Sequence, residues 1–196
     1  MKEWKIVIGS PGKIIVGNIK VESNMVDART HSVLNRRTTS RSSDSELNLT
    51  GFMRLTDAAI SEHNNREYQE TRKYKEYLFK KDDIFFVYDE NQPKIIAIQD
   101  SPVDEAAPSN ELVKKKSHYL ELTTKTSGNS YYLIEGLYTG FLRSFEDSDF
   151  IQLSNSTIIE FIKREDGFLK LKYDKKSLLS VSTNKIEAVS EIENPG

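Results

Sequence analysis

Alternating apolar and polar residues dominate this chain, and they predict strands rather than helices. Trp4 to Ile8 is one short run, stopped by Ser10-Pro11-Gly12. Lys13 to Glu22 follows, rich in Ile and Val, with Gly17 inside it. A glycine inside a strand marks a bend or a bulge. Glu46 to Ile60 returns to strand character with a slip near Gly51, and Tyr77 to Tyr88 is the most strand-like stretch, broken by a tight turn at Lys80 to Asp83. Ser61 to Tyr74 is charged and reads two ways: a long hairpin loop, or part of a helix over 57–77 whose apolar residues form no clear stripe. Further on, Tyr119 to Thr124, Tyr131 to Phe145, Asp149 to Phe161, Phe168 to Tyr173 and Leu178 to Ser182 are expected strands. Gly136 and Gly140 lie inside the second of these.

One seven-residue phrase occurs twice. Phe52-Met53-Arg54-Leu55-Thr56-Asp57-Ala58 reads against Phe150-Ile151-Gln152-Leu153-Ser154-Asn155-Ser156. Both run aromatic, apolar, polar, Leu, hydroxyl, Asp or Asn, small. The repeat predicts one β-module built twice. Between the copies, 100–112 holds Ser101-Pro102 and Ala107-Pro108 among acids, which is a linker composition. The expected layout is a first module at 1–99, the linker at 100–112, a second module at 113–186 and an acidic, frayed tail at 187–196.

Composition narrows the function classes. A hydrophobic fraction of 37%, helped by nine Phe and nine Tyr, supports two small cores. A net charge of -2 excludes polyanion binding by bulk electrostatics, so a nucleic-acid role needs a local patch. The absence of cysteine excludes disulfides and Cys-based zinc sites. His31, His63 and His118 are scattered without ligand spacing, so no metal or other cofactor is expected. The acids Asp82-Asp83 and Asp147-Ser148-Asp149 fall in turns with no sign of a cleft to split their pKa values, so an enzyme is not expected. No apolar run approaches the roughly 20 residues of a membrane span, and the N-terminus lacks a signal-peptide core. A soluble, cytoplasmic protein is the expectation.

The two modules resemble the Sm-like (LSm) family. The resemblance rests on Gly12 and Gly17 at the family's spacing, Leu55-Thr56-Asp57-Ala58 as the end of a third strand, and Tyr77 to Val87 as the second signature. In the second module, Gly140-Phe141-Leu142, Phe145-Glu146-Asp147, Ile151-Gln152-Leu153 and Leu178-Leu179-Ser180-Val181 fall in corresponding places. It implies an all-β chain of two tandem Sm-like, SH3-type, five-stranded barrels. It also implies a ring in which the fourth strand of one module pairs with the fifth of the next. Three such chains make a pseudo-hexamer, here a homo-oligomer held by the Phe79 and Phe85-Phe86 region. Two departures stand out. Phe52 and Phe150 occupy positions where RNA-binding relatives commonly carry Asn, and the family's basic-Gly turn has become Lys80-Lys81 and Asp174-Lys175-Lys176-Ser177, without glycine.

Two functions follow as expectations. One is single-stranded RNA binding, through Lys80, Lys81, Lys175 and Lys176, with Phe52 and Phe150 as stacking platforms. The basic insertion at 23–45, carrying Arg29, Arg36, Arg37 and Arg41, adds phosphate contacts in that reading and is otherwise a solvated loop. The other function is a structural or protein-interaction scaffold that has lost the RNA pocket. Lys114-Lys115-Lys116 reads as a solvated charge run.

Overall fold

The first hairpin forms because Ile6 and Ile8 on one strand and Ile15 and Ile19 on the next point to the same buried side. In the computed structural model, which describes residues 2–21, 34, 51–64, 67–90, 117–139 and 148–193, these strands are β1 (Lys2–Ser10) and β2 (Lys13–Val21). β3 (Phe52–Asn64) and β4 (Glu67–Lys80) make a second, longer hairpin. The charged stretch after Ser61 is therefore strand, and no α-helix replaces it. A 3-10 turn at Lys81–Asp83 leads to β5 (Phe86–Asp89), which pairs back onto β1.

The second half repeats this plan. β6 (Ser117–Thr124), β7 (Ser130–Thr139) and β8 (Phe150–Arg164) pair in sequence as β1, β2 and β3 do. β9 (Gly167–Lys172) and β10 (Lys176–Ser182) together stand where β4 stands, both against β8. A 3-10 turn at Thr183–Lys185 and β11 (Ile186–Glu191), paired to β6, match the first half's turn and β5. The stretch expected as a frayed tail thus supplies a strand.

The doubled phrase opens β3 and β8, and its closing residues, Asp57-Ala58 and Asn155-Ser156, lie inside these strands rather than at their ends. In each copy one glycine opposes two residues: Gly17 faces Asp57 and Ala58, and Gly136 faces Asn155 and Ser156. That is a β-bulge, which bends and twists the strand that carries it. Asp57 (φ 48°) and Asn155 (φ 51°) are the non-glycine residues with positive φ among the described residues. Asp and Asn tolerate this left-handed region better than other side chains. The opposing glycines make room for the bend. A Cβ on Gly17 would lie 3.1 Å from Leu55 Cβ, and one on Gly136 would lie 2.8 Å from Ser156 Oγ. Gly136 is therefore the counterpart of Gly17, not Gly140, which lies outside the described residues together with 141–147.

The eleven strands of the described residues belong to one antiparallel sheet, ordered β11-β6-β7-β8-β10-β5-β1-β2-β3-β4, with β9 attached to β8. Among the described residues the sheet is open, and closure into two separate barrels is not seen. The physical reason lies at its centre. β5 pairs with β1 along one edge, but its other edge pairs with β10 of the second half rather than within its own half, Val87 opposite Ser180 and Phe86 opposite Val181.

Side chains cross at this junction. Phe85 and Phe86 pack with Leu120, Tyr132, Ile134, Leu153 and Val181 of the second half, while Phe150 packs with Ile6, Phe79, Ile84 and Val87 of the first. Phe85 and Phe86, expected to hold chains together, instead hold the two halves of one chain together. Leu34, the described residue of the 23–45 insertion, is buried against the first core.

Candidate functional site

A polar cluster lies at this same junction, contributed by both halves. Glu160 follows Ile158 on the inward-facing side of β8 and is fully buried. Its Oε2 accepts hydrogen bonds from the Tyr68 hydroxyl (2.5 Å) and the Tyr173 hydroxyl (2.9 Å). Its Oε1 accepts one from the Gly12 N–H (3.1 Å). Tyr68 and Gly12 come from the first half, so one carboxyl group ties the two hairpin tips of that half to the second. The Tyr68 ring also meets His63 edge-on at 5.6 Å and lies 6.3 Å from Tyr173. The Tyr132 hydroxyl is buried beside them with no hydrogen bond of good geometry.

Burial pushes the pKa of Tyr68 upward, and the negative charge of Glu160 adds to the effect. Burial likewise raises Tyr132, aided by Glu160 and Tyr68, and raises Tyr173, aided by Tyr132 and Glu160. Tyr88, on β5, is pushed up to about 12, by burial first and then by Glu90 and Asp174. A tyrosine whose pKa is higher folded than unfolded contributes stability that is complete below the unfolded pKa of about 10 and is lost as pH rises toward the folded value. The urea midpoint is therefore expected to hold steady up to about pH 10 and to fall above it. Tyrosinate absorbance should show a group of tyrosines that ionise only as the chain unfolds. All nine tyrosines ionising together near pH 10 in the folded chain would contradict this placement.

The residues singled out from sequence do not converge. Phe52 is 39% exposed, but Phe150 is 3% exposed and cannot offer a face to a base. Lys80 is exposed at the end of β4, 3.7 Å from Asp82, and Lys81 is half-buried in the turn that follows. Lys175 and Lys176 are not their counterparts. That pair sits at the break between β9 and β10, level with Tyr74 of β4, whereas the counterpart of the Lys81–Asp83 turn is Thr183–Lys185. Lys175 is exposed, and Lys176 Nζ lies over the Tyr88 ring, 4.4 Å from its centroid. Arg29, Arg36, Arg37, Arg41, Lys114, Lys115, Lys116 and the 100–112 linker lie outside the described residues.

One shallow depression of about 670 Å³ beside the first bulge is lined by Lys5, Asp57, Glu70, Lys73, Lys75 and Glu90. Its mixed charges set up no field of one sign. Among the described residues no group of His, Asp and Glu is arranged to hold a metal ion, and no helix is long and apolar enough to cross a membrane.

Sequence reasoning missed Glu160. The available signal was its place in the alternation: it follows Ile158 on the inward side, where an unpartnered acid would be costly.

The class these features define is an all-β chain on one open antiparallel sheet, with a repeated bulged plan and a polar cluster between the repeats. No protein-family model, curated protein or solved structure matches the chain.

Proposed function

We propose that this chain is a ring-forming structural scaffold of Sm-like plan, which assembles head to tail and no longer reads RNA. One observation carries the proposal. Inside the chain, the fifth strand of the first half (β5) pairs with the second half's counterpart of a fourth strand (β10). The same two kinds of edge recur at the ends of the sheet, a fourth strand (β4) at one end and a fifth (β11) at the other. Exposed strand edges are templates for pairing with another chain. Edges of two different, complementary kinds generate a head-to-tail array that closes when the rotation per chain allows. Each half then corresponds to one Sm-like unit, and three chains supply six.

Three features favour a scaffold over RNA recognition. The doubled phrase opens on Phe52 and Phe150, where RNA-binding relatives commonly carry Asn. Phe150 is buried, and Lys176 is engaged by Tyr88.

Size-exclusion chromatography with light scattering, at tens of micromolar protein, is expected to give one species whose mass is a small multiple of the chain. A monomer at that concentration would sink the proposal. Tight, salt-sensitive binding of short single-stranded RNA would transfer the function to the RNA reading. Absence of binding at low salt leaves the scaffold.

A further inference from the structure

We propose that a second copy of this chain docks on the open β4 edge in the register of the internal junction, with Lys170 of one copy ion-paired to Glu62 of the next. This rests on the head-to-tail reading above and gives that contact its residues.

The template is the chain itself. Strand pairing sets the equivalences: Gly17 with Gly136, hence Lys13 with Tyr132, Glu62 with Glu160, His63 with Phe161, and Tyr68 with Lys170. Running back along β4 and β10, Leu78 corresponds to Ser180, Phe79 to Val181 and Lys80 to Ser182. On the fifth strands, Phe86 corresponds to Ala188 and Val87 to Val189.

Carrying the internal junction across to the open edges places Val189 of one copy opposite Leu78 of the next, and Ala188 opposite Phe79. The internal bond from the Ser182 N–H to the Phe85 carbonyl becomes one from the Lys80 N–H to the Glu187 carbonyl.

The exposed side chains fit this docking. Phe150 is buried at the internal junction, while its counterpart Phe52, on β3 beside the open β4 edge, is 39% exposed. Val87 is fully buried under β10, while its counterpart Val189 is 44% exposed. Two apolar residues that the internal junction covers, Phe150 and Val87, thus have uncovered twins beside the open edges.

The polar contact transfers with a change of chemistry. Internally, the Tyr68 hydroxyl donates to Glu160. At the open edge Tyr68 is replaced by Lys170 and Glu160 by Glu62, so the neutral donor becomes a cation facing a carboxylate. Lys170 now rests over the Phe161 ring at 5.2 Å, and Glu62 lies 4.0 Å from Lys13 with its side chain 39% exposed. Tyr131 and Phe161 stack beside Lys170, with the exposed Phe168 edge-on to both. That patch becomes the counterpart of the Gly12, His63 and Tyr68 tip that seals the internal junction.

The test uses the full chain and sedimentation across a concentration series. Lys170→Glu is expected to raise the concentration of half-association at least about tenfold, because it sets two carboxylates face to face. Adding Glu62→Lys in the same chain should recover most of that loss, with urea midpoints recording any change within the chain. Register is tested separately. The chain has no cysteine, so Leu78→Cys with Val189→Cys should yield covalent dimers and higher multimers on mild oxidation. Wild-type association that Lys170→Glu leaves unchanged, or that gives no cross-linking with the cysteine pair, overturns this contact while the head-to-tail assembly stands. A wild-type chain that stays monomeric removes the assembly itself.

Discussion

Glu160→Ala is expected to lower the free energy of unfolding by about 3–5 kcal/mol, the range for breaking a buried polar network from one side. The lost carboxyl group is the acceptor for the hydroxyls of Tyr68 and Tyr173 and for the Gly12 N–H. All three donors would lose that acceptor in a partly to fully buried junction, where an unpaired polar group carries a desolvation cost. Glu160→Gln keeps one acceptor oxygen and adds an amide donor that a tyrosine hydroxyl can accept, so its loss should be nearer about 1–2 kcal/mol. Urea unfolding of the two variants beside the wild type measures both values. An alanine variant within about 0.5 kcal/mol of wild type would mean that Glu160 behaves as a surface residue.

A second large effect is expected where β1 meets β5. Gly9 pairs with Phe86, and a Cβ on Gly9 would overlap the Phe86 ring itself. Phe86 is fully buried and touches Tyr132 edge-on at 5.1 Å and Tyr173 at 6.0 Å. Gly9→Ala therefore has to displace the ring from the core shared by the two halves, at a cost of about 3 kcal/mol or more. Phe86→Ala alone should cost about 3–5 kcal/mol through the cavity it leaves. The combined variant should be scarcely worse than Phe86→Ala, since the overlap disappears with the ring. Strict additivity in this double-mutant cycle would show that Gly9 and Phe86 do not share one space.

The parts of the fold that were legible in the sequence are those where one face is buried. The doubled phrase could be read because Met53 and Leu55, and likewise Ile151 and Leu153, are core residues at period two. The tight turn at Lys80 to Asp83 and the strand after it were legible for the same reason. The charged 61–74 stretch was ambiguous because much of β4 is exposed, so no apolar stripe separates strand from helix. β11 escaped notice because its place is fixed by backbone pairing to β6, while its side chains beyond Ile186 are exposed. The meeting of β5 and β10 is likewise a pairing of main chains, which leaves no residue pattern to find. The lysines at 80–81 and 175–176 looked equivalent because both follow a strand-like run. The pairing register separates them by nearly the length of β10.

The pairing of β5 with β10 has one more consequence. A contact between parts of one chain keeps a high effective concentration at any dilution, whereas a contact between chains is subject to mass action. Two junctions of the same design then obey different laws within one assembly. On dilution, an assembly built through β4 and β11 comes apart at every second junction, and its units leave two by two. A closed ring of such chains has even parity by construction: it can hold four, six or eight halves, and it has no route to five or seven.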